Sequence, residues 1–147
     1  MPFKPRDWKS LVARLALARE QLLQFRQAAR EQNQELRHLL DSAVISIHAI
    51  AEYAVNVLLE LAGLAPERKH RTGERARDLK AMGRLKGDYK PILDQLQDYR
   101  VAAQYLGYGR KPSVHYNATN VETCLVEIDR LVEETVAALH AEGVDIK

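Results

Sequence analysis

Arg110 and His115 lie five residues apart in the run Arg-Lys-Pro-Ser-Val-His, between Gly107-Tyr-Gly109 and Tyr116-Asn117. Those two residue types suit one reaction well. A guanidinium can hold a phosphodiester through two parallel hydrogen bonds and stabilise the charge that develops on it. An imidazole titrates near neutral pH and can carry a proton to or from a ribose hydroxyl. Backbone N–H groups at the start of a following helix add affinity for the anion. Together they could cleave RNA without a metal, with the neighbouring 2′-hydroxyl as nucleophile, a group that DNA lacks. An Arg–His spacing of this kind arises readily by chance, so its place carries the weight: amid Gly, Pro and Tyr, between the last two expected helices. The bland alternative is that both side chains merely stabilise the loop.

Other chemistry is thinly represented. Glu35-Leu-Arg-His38 matches a Glu-x-x-His element, but a di-iron bundle needs a second copy and two further Glu, and no second copy exists. His48 and Glu52 could share a helix face, yet two ligands do not make a site. No metal and no cofactor are therefore expected, and His48 is read as a polar group lining an interhelical interface. The single Cys124 can form neither a disulfide framework nor a Cys-based zinc site. It fits a reducing compartment, and inside a helix with no adjacent base it reads as a packed thiol. Gly-x-Ser-x-Gly, a phosphate-cradling Gly loop and a dinucleotide fingerprint are all lacking.

The elements that must position Arg110 and His115 are helical. Trp8, Leu11, Leu15, Ala18, Leu22, Phe25 and Ala29 step by three and four, then Leu36 and Leu39 resume after Gln32. This spacing predicts a helix over about 7–39, with a break near Asn33 left open. Asp41 and Ser42 can cap a second helix that stops at Gly63. Along it His48, Glu52, Asn56 and Glu60 recur every fourth residue and make one polar line on an otherwise apolar rod. A basic loop over 65–73 leads into a short helix at about 74–86, which Gly87-Asp88 breaks. The next spans about 89–105, with Pro91 in its first turn and Ile92, Leu96, Tyr99 and Ala103 as its stripe. Thr119 to Glu122 reads as a capping box opening the last helix, which runs to about His140 with Leu125, Ile128, Leu131, Val132, Val136 and Leu139 inward. The expected fold is all-α: a single up-and-down bundle of four to five helices, forming one domain over 1–147.

Composition agrees. The 147 residues are 46% hydrophobic and only 6% aromatic, with 7 Gly and 5 Pro, which disfavours both a disordered chain and an all-β one. The polar, basic Met1–Trp8 is followed by no apolar secretory run, and Ala43–Leu64, though apolar, carries His48, Glu52, Asn56 and Glu60 and reads as a buried helix. A cytoplasmic protein without a membrane span is the expectation. The net charge of +2 hides an uneven distribution. Residues 66–111 hold 12 basic and 6 acidic groups, whereas 112–147 hold 2 and 7. Arg68, Lys69, Arg71, Arg75, Arg77 and Lys111 are candidate nucleic-acid contacts, the alternative being a solvated helix face.

The long first helix, the Ala-rich second one ending near Gly63, the basic loop with a His, Tyr99-Arg100-Val-Ala-Ala-Gln-Tyr105 and the Arg110/His115 pair before the last helix resemble the HEPN-domain family. The likeness spans most of the chain. It implies a metal-independent endoribonuclease, often a toxin or defence component, working as a homodimer whose two Arg/His pairs share one cleft. A cognate antitoxin such as a nucleotidyltransferase would then be a partner beside the RNA. Carried over, Arg110 binds phosphate and His115 acts as general acid/base, with Glu52, Tyr116, Asn117 and Arg100 in support. Lys111 stands where active members usually have Asn, Asp or His, and Tyr116 follows His115 directly where toxin members have His-x-Tyr. The alternative function is a non-catalytic helical module that binds nucleic acid or a partner protein.

Overall fold

The computed structural model describes residues 34–67, 71–105 and 116–143, and before them Lys9, Ala13, Ala16, Leu17, Arg19, Glu20, Gln21, Leu23 and Gln24, each in helical conformation. Four helices follow: α1 (Gln34–Leu61), α2 (Thr72–Ala81), α3 (Lys90–Tyr105) and α4 (Ala118–Ala141). No strand occurs among the described residues, and the protein is an all-α bundle.

α1 is the centre of it. Leu40, Ala43, Val44, Ile47, Ile50, Ala51, Ala54, Val55, Leu58 and Leu59 are buried, so the rod is covered on most of its circumference. α2, α3 and α4 all pack on it, while α2 and α4 do not touch each other. Burying each Leu, Ile or Val stabilises the fold by about 1.5–3 kcal/mol relative to leaving it exposed. By length and composition His38–Leu61 could cross a membrane; 61% of its apolar window is buried in the bundle, as befits a core helix.

The expected start of a helix at Asp41-Ser42 is overturned. α1 runs unbroken through both residues, because Leu40, Ala43, Val44 and Ile47 continue one buried face across them. Its stop is where Gly63 predicts: Gly63 takes φ +76, Gly63 N–H donates to Glu60 (3.0 Å) and Leu64 N–H to Leu59 (2.8 Å). α2 ends at Ala81, earlier than the expected 86, because Gly83 (φ +75) makes the same closure, with Arg84 N–H on the Leu79 carbonyl at 2.8 Å.

Pro91 lies in the first turn of α3, as expected. The inward stripe of α3 is Leu93, Leu96, Tyr99 and Ala102; Ile92 and Ala103 are only partly buried. α2 approaches α3 closely at Gly73, where an added Cβ would lie 2.2 Å from Asp94 Oδ1 and 3.2 Å from the Lys90 carbonyl. On α4, Val121, Cys124, Leu125, Ile128, Leu131, Val132 and Leu139 are buried, and Thr135 satisfies its buried hydroxyl on the Leu131 carbonyl at 2.8 Å. Asp129 of α4 pairs with Arg19, which brings the N-terminal helical residues alongside.

Candidate functional site

Arg110, Lys111 and His115 lie outside the described residues, as do Arg68 and Lys69. What the structure describes is the frame on either side. α4 opens on Asn117, in extended conformation (φ −124, ψ −179), whose side chain accepts from Asn120 N–H at 2.9 Å. Asn120 Oδ1 accepts in return from Asn117 N–H at 3.0 Å. The capping box is therefore Asn117–Asn120, two residues earlier than the expected Thr119–Glu122. Asn fits both positions because one amide oxygen serves each N–H. Thr119 instead lies inside the helix, where its carbonyl accepts from Thr123 Oγ1 at 3.0 Å.

Tyr116, the residue after His115, is 5% exposed. Its ring tilts 45° against Tyr99 with centroids 5.1 Å apart, and its hydroxyl donates to Asp41 Oδ1. One side chain thus joins α1, α3 and the start of α4. Tyr99 is buried as well, and its hydroxyl accepts from Gln95 Nε2 at 2.6 Å; burial raises its pKa above the ordinary tyrosine value. Arg100 beside it bonds within its own helix, to Gln97 (Nε to Oε1, 3.3 Å) and to Gln104.

Asp41, read from the sequence as a helix cap, is the frame residue that sequence reasoning missed. Tyr99 was visible as a member of a stripe; nothing in the order of residues pairs Asp41 with a tyrosine 75 positions away. At about 100° per residue, Asp41, His48 and Glu52 fall within about 40° of one another around α1. His48 is 5% exposed, and its Nε2 lies 3.5 Å from Glu52 Oε1, an ion pair when the imidazole is protonated. The expected reading of His48 as a group lining an interhelical interface fits this burial. Further along, Asn56 Oδ1 accepts from Glu67 N–H at 2.9 Å and fastens the chain leaving α1.

Of the candidate phosphate contacts, Arg71 is exposed at the start of α2 and Arg77 is exposed on it. Arg75 is half-buried, and its Nη1 lies 3.3 Å from Asp78 Oδ2. No group of three or more His, Cys, Asp or Glu able to hold a metal is found among the described residues. Cys124 is fully buried, and burial pushes its thiol up to about 12, so it stays protonated and unreactive at neutral pH.

Comparison with curated proteins and with solved structures gives no match. Comparison with protein families does: the model of the HEPN domain matches residues 18–139, most of the chain.

Proposed function

Because the chain belongs to the HEPN-domain family, we propose that it is a metal-independent endoribonuclease that works as a homodimer in a toxin or defence system. The observation that carries this reading is the Arg110/His115 pair directly preceding Tyr116, which ties the start of α4 to the core, and Asn117, which caps that helix. Arg110 binds the phosphodiester and stabilises the charge developing on it. The 2′-hydroxyl attacks phosphorus, the bond to the 5′-oxygen breaks, and His115 handles the protons at the two oxygens. Glu52 and Arg100 support the site from α1 and α3, and the partner protomer brings a second pair into a shared cleft. A nucleotidyltransferase encoded by a neighbouring gene is the antitoxin this reading calls for.

The test is to incubate the purified protein with RNA in EDTA beside His115→Ala and Arg110→Ala variants, with light scattering for the oligomeric state. Cleavage leaving 2′,3′-cyclic phosphate ends, reduced at least about 100-fold in either variant, is the expected result. An inert wild type, or variants that cleave as well as it does, would sink the proposal. A monomer would remove the shared cleft. The second reading, a binding module without catalysis, is favoured by Lys111 after Arg110 and by a Tyr116 hydroxyl committed to Asp41. RNA binding without cleavage would establish it instead.

A further inference from the structure

Between Arg71 and Lys86 the chain carries six basic and two acidic side chains. They are not equivalent. Arg75 is paired with Asp78, and Lys86 lies beside Glu134, whose carboxyl pKa it helps to lower. Arg77, Lys80 and Arg84 are exposed, and among the described residues no carboxylate lies within ion-pair distance of any of them. Arg77 and Lys80 stand on the outer side of α2, with Ala76 and Leu79 buried on the inner side. The turn at Gly83 keeps Arg84 at the same end, its N–H bonded to the Leu79 carbonyl. Met82, between them, is 50% exposed.

We propose that the basic surface formed by Arg77, Lys80 and Arg84 is a docking surface for the sugar-phosphate backbone of a single RNA strand. This rests on the reading that the ligand is RNA, and it goes further by placing a binding surface on α2, away from Arg110 and His115 in the sequence. Three exposed cations with no ion-pair partner among the described residues are the complement of consecutive phosphates, whose bound counterions they release. A protein partner would want a buried apolar centre, and Arg77, Lys80 and Arg84 supply none. The acidic α4 makes no contact with α2 itself, and the α4 carboxylate that reaches its C-terminal flank, Glu134, is already engaged by Lys86 N–H, Gly87 N–H and the Tyr89 hydroxyl.

The experiment uses the full chain and a fluorescein-labelled 2′-O-methyl oligoribonucleotide, which cannot be cut because its nucleophile is blocked. Anisotropy across a range of salt concentrations gives Kd and its salt slope. The triple variant Arg77→Gln, Lys80→Gln, Arg84→Gln should weaken binding about tenfold or more and lower the slope by about 2, at roughly 0.7 per phosphate contact for a single strand. Lys90→Gln and Arg130→Gln remove cations that already have partners, Asp94 and Glu127, and should leave both quantities near wild type. Circular dichroism confirms that each variant is folded. An unchanged Kd and slope in the triple variant would overturn the proposal, as would equal losses in the two controls or a wild type that does not bind. Polyglutamate competing as well as the oligonucleotide would overturn it too. Binding of uncut RNA without its cleavage would defeat the catalytic reading alone. Cleavage with KM unchanged in the triple variant would defeat the docking surface alone.

Discussion

Tyr116 is the residue on which the local argument turns. Its ring packs on Tyr99 and its hydroxyl reaches Asp41, so it fixes the backbone next to His115 while presenting little surface of its own. Tyr116→Phe keeps the ring and deletes the donor, and should lower stability by about 1.5–3 kcal/mol in urea melts, as loss of a hydrogen bond to a charged acceptor does. Asp41→Asn retains an acceptor and should cost less; equal, negligible effects from both would show that the bond contributes nothing. The residue types at Arg110, His115 and Tyr116 were legible in the sequence because each type limits its own chemistry. The partnership with Asp41 was not. A hydrogen bond between residues 75 apart leaves no local pattern, and an Asp before a Ser reads most naturally as a helix cap.

At the scale of elements, sequence reasoning recovers what periodicity and glycine punctuation control. The stop of α1 at Gly63, Pro91 in the first turn of α3 and the inward residues of α4 follow from rules that act within a few residues. Boundaries shifted where tertiary burial outweighed a local preference, as in α1 passing through Asp41-Ser42, or where two caps competed. At the start of α4 Asn117 wins over Thr119, since extended backbone at 117 and the reciprocal bonds with Asn120 satisfy two N–H groups at once. Asn117→Ala should therefore cost about 0.5–2 kcal/mol of stability, whereas Thr119→Ala should be close to neutral. Thermal melts of the pair decide between the two caps: a larger loss at Thr119 would restore the Thr119–Glu122 box.

Across the whole molecule, Glu134 links α4 to the segment between α2 and α3. Its carboxylate accepts from Lys86 N–H (2.7 Å), Gly87 N–H (3.2 Å) and the Tyr89 hydroxyl (2.6 Å). Burial raises its pKa, but the hydrogen bonds from Tyr89, Lys86 and Gly87 outweigh that and hold it below the ordinary carboxylate value. Burial and the Glu134 carboxylate together raise the pKa of Tyr89. A depressed folded-state value means that the stabilisation from Glu134 is fully present above its unfolded pKa, about 4.3, and is lost as pH falls through the lower folded value. Glu134→Gln should flatten the acid limb of stability against pH in that window while altering its neutral part less. An acid limb identical to wild type would show that the carboxylate is not a source of acid lability.

The same separation of elements sets an electrical property. α4 carries five acidic and one basic Lys, Arg, Asp or Glu side chain, α2 and its flanks carry the opposite excess, and the two sides both pack on the weakly charged middle of α1 and meet at Glu134 and Lys86. A net charge of +2 therefore understates how strongly the two sides differ. Near the isoelectric point of about 8.7 that its composition implies, the protein should still be retained at low salt by both cation- and anion-exchange resins, each gripping a different side. Its behaviour on charged surfaces is set by an electric moment rather than by a sum.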